Sequence, residues 1–412
     1  MEHKDIIIVG SGHAGVQAAN VLRQTGYDGS IAIVSQDSDP PYERPPLSKE
    51  FLAGSKPFEK ILFRPDAFWV DRRIEVRLRS TVDRINPESK TVSFTACSAL
   101  NYGTLIWAAG GEPRRLTCQG GELPQVHAIR ARSDITAVMA QLPSTRHVTL
   151  IGGGYIGLEV AAVLVALGKD VTLVEREARL LSRVAGEEIA TFLENAHRGH
   201  GVDIRLGDAV DCIEGEDNHV VAVRLSSGER IETQMVIAGI GIEPSVSALA
   251  AAGAEVSNGV LVNPYCQTSI PDIYAIGDCA AHVNRFAQGQ IIRLESVQNA
   301  NDQAATAAKA ICGQLVPYDA VPRFWSNQYD FRLQTVGISR DHDQTVLRGD
   351  KTSGSFSIVY LRDRKIIAID SINAPRDFAH GRKIVEEGMI LPIEGLIDQN
   401  IALNDLIPVG MS

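Results

Sequence analysis

The sequence predicts an α/β fold built on two similar parallel βαβ units, with a smaller α+β domain behind them. Three observations carry that prediction. The apolar run Ile6-Ile7-Ile8-Val9 leads into Gly10-Ser11-Gly12-His13-Ala14-Gly15 and a small-residue helix over 16–24. The same order recurs at 148–151, where an apolar run leads into Gly152-Gly153-Gly154-Tyr155-Ile156-Gly157 and a helix over 158–167. Near the C-terminal end the pattern changes to alternating strands at 356–360 and 366–369, then a helix over 378–387. A chain of 412 residues exceeds one ordinary core, so more than one domain is expected.

Each glycine run lies between a strand and a helix, which is the context a dinucleotide loop demands. The glycines permit a tight turn and close backbone approach, and the helix N-terminus faces the pyrophosphate charge. One such loop is weak evidence; two complete copies predict two Rossmann-like domains and two bound dinucleotides. In the first unit a strand over 31–34 runs into Ser35-Gln36-Asp37, where a ribose-binding group belongs. In the second, the strand over 171–174 ends in Glu175. A carboxylate there accepts from a ribose 2′-hydroxyl and repels a 2′-phosphate, so NADH is expected over NADPH. Arg176 beside it weakens the preference without reversing it.

Fifty Asp and Glu against forty Lys and Arg give a net charge of −10, the opposite of a nucleic-acid binder. No apolar run approaches the length of a membrane helix, and the chain enters a strand almost at once, so neither a leader nor a membrane span is expected. Cysteines 97, 118, 212, 266, 279 and 312 show no CxxC or metal spacing. Small buried thiols, reduced in a cytoplasm, are the expectation, with no metal site.

Four further stretches are distinctive: Tyr42-Glu43-Arg44-Pro45-Pro46-Leu47-Ser48-Lys49, Trp107-Ala108-Ala109-Gly110-Gly111, Ala275-Ile276-Gly277-Asp278-Cys279-Ala280 and Phe324-Trp325-Ser326-Asn327-Gln328-Tyr329. Together with the glycine loops they resemble the FAD-dependent, NADH-using ferredoxin reductases of bacterial oxygenase systems, from residue 5 to about 385. The resemblance implies a glutathione reductase-type fold. An FAD domain (1–113 and 244–318) would be split by an NAD domain (114–243) and followed by a C-terminal α+β domain (319–412). It also implies FAD contacts from Gly10, Gly12, Ala14, Gly15, Lys49, Val82, Arg132, Asp278, Val297 and Trp325. The ribose acid of some members falls on Gln36, and Asp37 beside it is the alternative. Asp278 is expected to accept from the flavin ribityl chain while capping a following helix. Ala109 departs from the Thr or Ser that the family usually carries. NADH would lie on Gly152, Gly154, Gly157, Glu175 and the turn at Gly241.

Hydride transfer to a flavin needs no protein nucleophile, because the cofactor carries the chemistry. By the same resemblance, Tyr155 covers the flavin ring and moves aside for nicotinamide; a packed loop aromatic is the other reading. Lys49 and Glu159 match a pair near the flavin N5, with a structural ion pair as rival, and Glu295 is a weaker candidate for the nicotinamide carboxamide. No cysteine lies in 42–49 or 152–175, where related disulfide reductases carry theirs. Electrons are therefore expected to leave the flavin directly, and the resemblance implies a [2Fe–2S] ferredoxin serving a P450 or Rieske-type oxygenase as their acceptor.

Such ferredoxins are usually acidic, so a locally basic face is expected. Lys56, Lys60, Arg64, Arg72, Arg73, Arg77, Arg79 and Arg84, against five acids in the same stretch, are the candidates, with a solvated charged surface as the other reading. The resemblance implies docking near Arg64, Arg73 and Trp325, and Ala305 replaces a docking Arg of one branch. Two other functions stay in view: a flavin NADH dehydrogenase reducing quinone or oxygen, and an apoptosis-inducing-factor-like interaction flavoprotein. The former usually carries an amphipathic C-terminal segment, for which 400–411 is short and polar.

Overall fold

The computed structural model describes residues 2–95 and 98–407. Cys97 and the end of the polar stretch 400–411 lie outside the described residues. Two compact units are present, and each gathers separated pieces of chain.

The first unit comprises Met1–Arg44, Pro57–Glu112 and Glu243–Pro322. Its principal sheet runs in the order Ile74–Arg77, Ile31–Val34, Glu2–Val9, Leu100–Trp107, and then Thr91–Phe94 and Val82–Asn86. The first four strands are parallel, and Ile273–Ala275 adds a fifth parallel strand against Leu105 to Trp107. Ile6, Ile7 and Ile8 are fully buried because a central parallel strand is covered on both faces. Each such side chain contributes roughly 1.5–3 kcal/mol relative to exposure. Helix His13–Gln24 shares a core with helix Val297–Ile311 through Ala14, Ala18, Ala300, Ala304 and Ala307. Methyl-sized side chains let the two backbones approach closely. A small sheet, Val256–Ser257, Gly259–Val262, Ala280–Asn284 and Gln290–Arg293, completes the unit.

The second unit comprises Pro45–Lys56, Pro113–Ile242 and Arg323–Ser412. A parallel sheet runs Asp203–Leu206, Asp170–Glu175, His147–Ile151, Met235–Ala238, Val126–Ala128. Helices Tyr155–Ala166 and Glu187–Gly199 and an antiparallel sheet, Val210–Glu216, His219–Leu225 and Arg230–Glu232, accompany it. The C-terminal segment forms an antiparallel sheet in the order Arg323–Gln328, Phe331–Gly337, Lys365–Ile372, Ser355–Arg362, Gln344–Asp350, followed by helix Pro375–Glu387.

Both glycine-loop helices begin three residues earlier than the sequence suggests, at His13 and Tyr155, so Gly15 and Gly157 sit inside the first helical turn. One expectation fails. Asp278 heads no helix: Gly277–Cys279 is a single 3₁₀ turn that runs into the strand Ala280–Asn284. The next α-helix starts at Val297 and is capped by Ser296, whose Oγ accepts from Asn299 N at 3.1 Å. Among the described residues no helix is long and apolar enough to cross a membrane.

Candidate cofactor and electron-transfer site

At the first loop, Gly10 has φ +112°, and a Cβ there would lie 2.2 Å from the carbonyl oxygen of Ala108. A Cβ on Gly15 would lie 1.9 Å from the oxygen of Gly10. Both positions exclude any side chain. Gly12 is different, because a Cβ there would meet nothing within 4 Å. Its hydrogen therefore serves the space in front of the loop, where a pyrophosphate needs the backbone bare. Ala14 lies under Gly277, whose Cβ position is 3.1 Å from the Ala14 methyl, so the loop and the Gly277–Cys279 turn abut. Val82 opens its strand opposite Phe94 and packs against the core that also holds Val9 and Val34, and Val297 opens its helix.

The two ribose candidates separate. Asp37 is committed to the protein: its carboxylate accepts from the Tyr42 hydroxyl and an Arg44 guanidinium nitrogen, each at 3.0 Å. Gln36 is exposed, its amide donating to Glu112 at 2.7 Å. Glu295 is also exposed and accepts from Arg293 at 2.7 Å, and the same guanidinium donates to the Asp278 carbonyl at 3.0 Å.

The second loop repeats the pattern. Gly152 has φ +105° with its Cβ position 2.5 Å from the Gly239 oxygen, Gly157 would clash with Gly152 at 2.2 Å, and Gly154 is open. Glu175 is tied into this loop: Oε2 accepts from Gly153 N at 2.6 Å and Oε1 from Glu177 N at 2.8 Å. The carboxylate thus stands at the loop with its orientation fixed. Arg176 points to solvent. Gly241 holds φ +95° in open surroundings, and Arg132 opens helix Arg132–Gln141.

Helix Tyr155–Ala166 contains one charge, Glu159, and buries it. Lys49 Nζ lies 2.5 Å from Glu159 Oε2, which also accepts from Ser48 Oγ at 2.7 Å. Oε1 accepts from Ser326 Oγ at 2.7 Å. A buried carboxylate is tolerated only with such donors. Tyr155 stacks on Phe324, ring centroids 4.4 Å apart, and burial pushes its phenol well above the ordinary value. Trp325, next to Phe324, is half-buried on the edge strand Arg323–Gln328. Ser48, Phe324 and Ser326 all stand in stretches that are distinctive for other residues. Their contacts to Glu159 and Tyr155 span more than a hundred residues, and no local pattern announces them.

The five described cysteines are all free thiols, but only Cys266 and Cys279 are buried as expected, while Cys118, Cys212 and Cys312 are partly exposed. Burial pushes Cys279 up to about 11, which makes it an apolar filler and not a nucleophile.

Two bare glycine cradles at helix N-termini, one with a fixed carboxylate beside it, define a two-dinucleotide oxidoreductase, and residues 4–304 match the family described as pyridine nucleotide-disulphide oxidoreductase, to which the chain belongs. Residues 323–407 match the family described as reductase C-terminal. A ferredoxin–NAD(P)+ reductase from Sphingomonas sp. is 51% identical over 407 residues, covering 98% of each chain. The ferredoxin reductase subunit of 5,5′-dehydrodivanillate O-demethylase from Sphingobium sp. is also 51% identical, over 98% of this chain and 99% of that one. The solved covalent complex of putidaredoxin reductase with putidaredoxin superposes with a TM-score of 0.94 at 35% identity, over 98% of both chains. The protein is an FAD-dependent oxidoreductase of the ferredoxin reductase kind, using a nicotinamide dinucleotide.

Proposed function

We propose that the protein takes a hydride from NADH onto FAD and passes the electrons singly to a [2Fe–2S] ferredoxin, which feeds a P450 or Rieske-type oxygenase in the cytoplasm. The observation that carries this reading is the Lys49–Glu159 cluster. Where a disulfide reductase needs a thiol, residues 42–49 supply Ser48 and Lys49 to a buried carboxylate instead. A fixed cation suits negative charge developing on a reduced flavin. FAD would rest on the loop Gly10 to Gly15 with Val82, Arg132, Asp278 and Val297; exposed Gln36 is our ribose contact, with Asp37, held by Tyr42 and Arg44, as the alternative. NADH would rest on the loop Gly152 to Gly157, with Glu175 as the ribose acceptor and Tyr155 as the ring that yields to nicotinamide. We keep the division into FAD (1–113, 244–318), NAD (114–243) and C-terminal (319–412) domains as functional, with Pro45–Lys56 serving the second compact unit.

For docking, Arg64, Arg72 and Arg73 are exposed around helix Asp66–Asp71, which also exposes Val70. Cations around an apolar centre suit an acidic protein whose contact face is partly apolar. Arg77 contributes less than its sequence position suggests, because it is paired with Glu2 and Glu75. Trp325 remains our candidate for the electron exit. In the double variant Arg64→Glu, Arg73→Glu, ferredoxin reduction at low salt is expected to slow about tenfold while ferricyanide reduction is spared. Equal loss in both assays would place the damage in the fold or the flavin site and remove the docking assignment.

A further inference from the structure

The third donor to Glu159 is the end of a longer chain of hydrogen bonds. Ser326 has a single hydroxyl hydrogen and gives it to Glu159 Oε1 at 2.7 Å. Its oxygen must then accept, and Gln328 Nε2 donates to it at 3.1 Å. That sets the amide, so Gln328 Oε1 faces His197 Nε2 at 2.9 Å. His197 is fully buried, and burial lowers its pKa to about 4, so the ring is neutral at pH 7 with its one proton on Nε2. Nδ1 is left to accept, and the Tyr329 hydroxyl lies 3.1 Å from it. Burial pushes that phenol up to about 12, so it keeps its proton. Each link fixes the direction of the next, and all point towards Glu159. Ser326 and Gln328 are buried like Glu159 and His197.

Tyr329 adds an independent sign. It occupies the turn between strands Arg323–Gln328 and Phe331–Gly337 with φ +55°, a region that favours glycine or asparagine. A bulky aromatic held there costs on the order of 1–3 kcal/mol. Its ring stacks on His200 at 3.7 Å and 10°, one helical turn from His197. The strain is retained where it aims a hydroxyl at the head of the chain.

We propose that Tyr329, His197, Gln328 and Ser326 form a one-way donor relay that pins the Glu159 carboxylate, leaving Oε2 turned to Lys49, and so act as positioning residues for hydride transfer. The claim rests on the reading of Lys49–Glu159 as the flavin-facing pair. A carboxylate free to rotate would offer either oxygen to Lys49; the Ser326 bond to Oε1 removes that choice. Successive donors also polarise one another, strengthening each bond by roughly 10–30%.

Two measurements on the FAD-loaded protein test it. Histidine ¹⁵N spectra, with His197 assigned by the signals lost in His197→Gln, should show the Nε2–H tautomer, disturbed in both Ser326→Ala and Tyr329→Phe. An Nδ1–H tautomer in the wild type overturns the relay whatever the flavin does. Rapid mixing with NADH should show hydride transfer falling about tenfold in Ser326→Ala and about threefold in Tyr329→Phe, with NADH affinity held and Ser326→Thr restoring the rate. If Glu159→Gln slows transfer but Ser326→Ala does not, the relay does not act on Glu159 and the proposal falls. If Glu159→Gln itself changes nothing, the flavin-facing assignment of the pair fails, taking the role in hydride transfer with it, while the tautomer still decides whether the relay exists.

Discussion

The two glycine loops share a backbone and differ in what reaches them. Each has two glycines whose Cβ would strike a carbonyl oxygen, the first of them at positive φ, and one facing open space. Around the first, the neighbouring polar contact is hydroxyl to hydroxyl, Ser11 to Ser35 at 2.8 Å, and the adjacent carboxylate of Asp37 is turned to Tyr42 and Arg44. Around the second, Glu175 binds the loop amide itself. The helices differ too. His13–Gln24 is polar on one side, whereas Tyr155–Ala166 is apolar almost throughout and hides Glu159. On the proposed assignment, closely similar loop geometry would hold FAD in the first unit and NADH in the second, and the side chains around each loop would set which dinucleotide it takes.

The comparison breaks most visibly at the innermost glycines. Gly15→Ala should reduce bound FAD to less than about a tenth, while Gly157→Ala should leave the protein yellow and lower kcat/KM for NADH by about a hundredfold. Flavin absorbance and steady-state kinetics decide it; flavin loss in both variants would mean the loops are not separately assigned. Acid should act on the two units alike, since each buries one histidine whose pKa is lowered to about 4, His282 in the first and His197 in the second. Unfolded, each ring titrates near 6.5, so between those values the unfolded chain binds the extra proton. Stability is complete above about pH 6.5 and declines towards pH 4 by up to ~1.4 kcal/mol per pH unit for each ring. Thermal melts of His282→Asn and His197→Gln should each flatten that decline, and an unchanged slope in both would assign it to carboxylates. Smallest is Glu175→Ala, which should narrow the preference for NADH over NADPH about tenfold, or ~1.4 kcal/mol. Equal use of both coenzymes by the wild type would show that Glu175 does not select.

The glycine loops were legible because their requirements are local: a strand, a turn demanding positive φ and a helix succeed one another within a dozen residues. The C-terminal sheet was legible from alternation in Ser355–Arg362 and Lys365–Ile372, both longer than their apolar centres suggested. Asp278 defeats a local reading because a short apolar strand and then Gly-Asp fits a helix entry and a tight turn equally well, and only the pairing of Ala280–Asn284 with Gly259–Val262 separates the two. The Lys49–Glu159 contact came through likeness to a family, not through spacing. Ser326, Gln328 and His197 were invisible for a further reason. Serine, glutamine and histidine are ordinary on a surface, and only burial turns their hydrogen bonds into obligations.

The principal sheet of the first unit takes its last parallel strand from far downstream: Ile273 pairs with Leu105, and the second unit's central segment lies between them in the chain. On a ribosome adding roughly 5–20 residues per second, that edge stands open for on the order of ten to thirty seconds. Through that interval Leu105, Ile106 and Trp107 present an unpaired apolar strand edge, while Leu100 and Asn101 are already covered by Val92 and Thr91. A nascent chain of this design has a built-in window for chaperone capture, and slow codons within residues 113–242 would lengthen it.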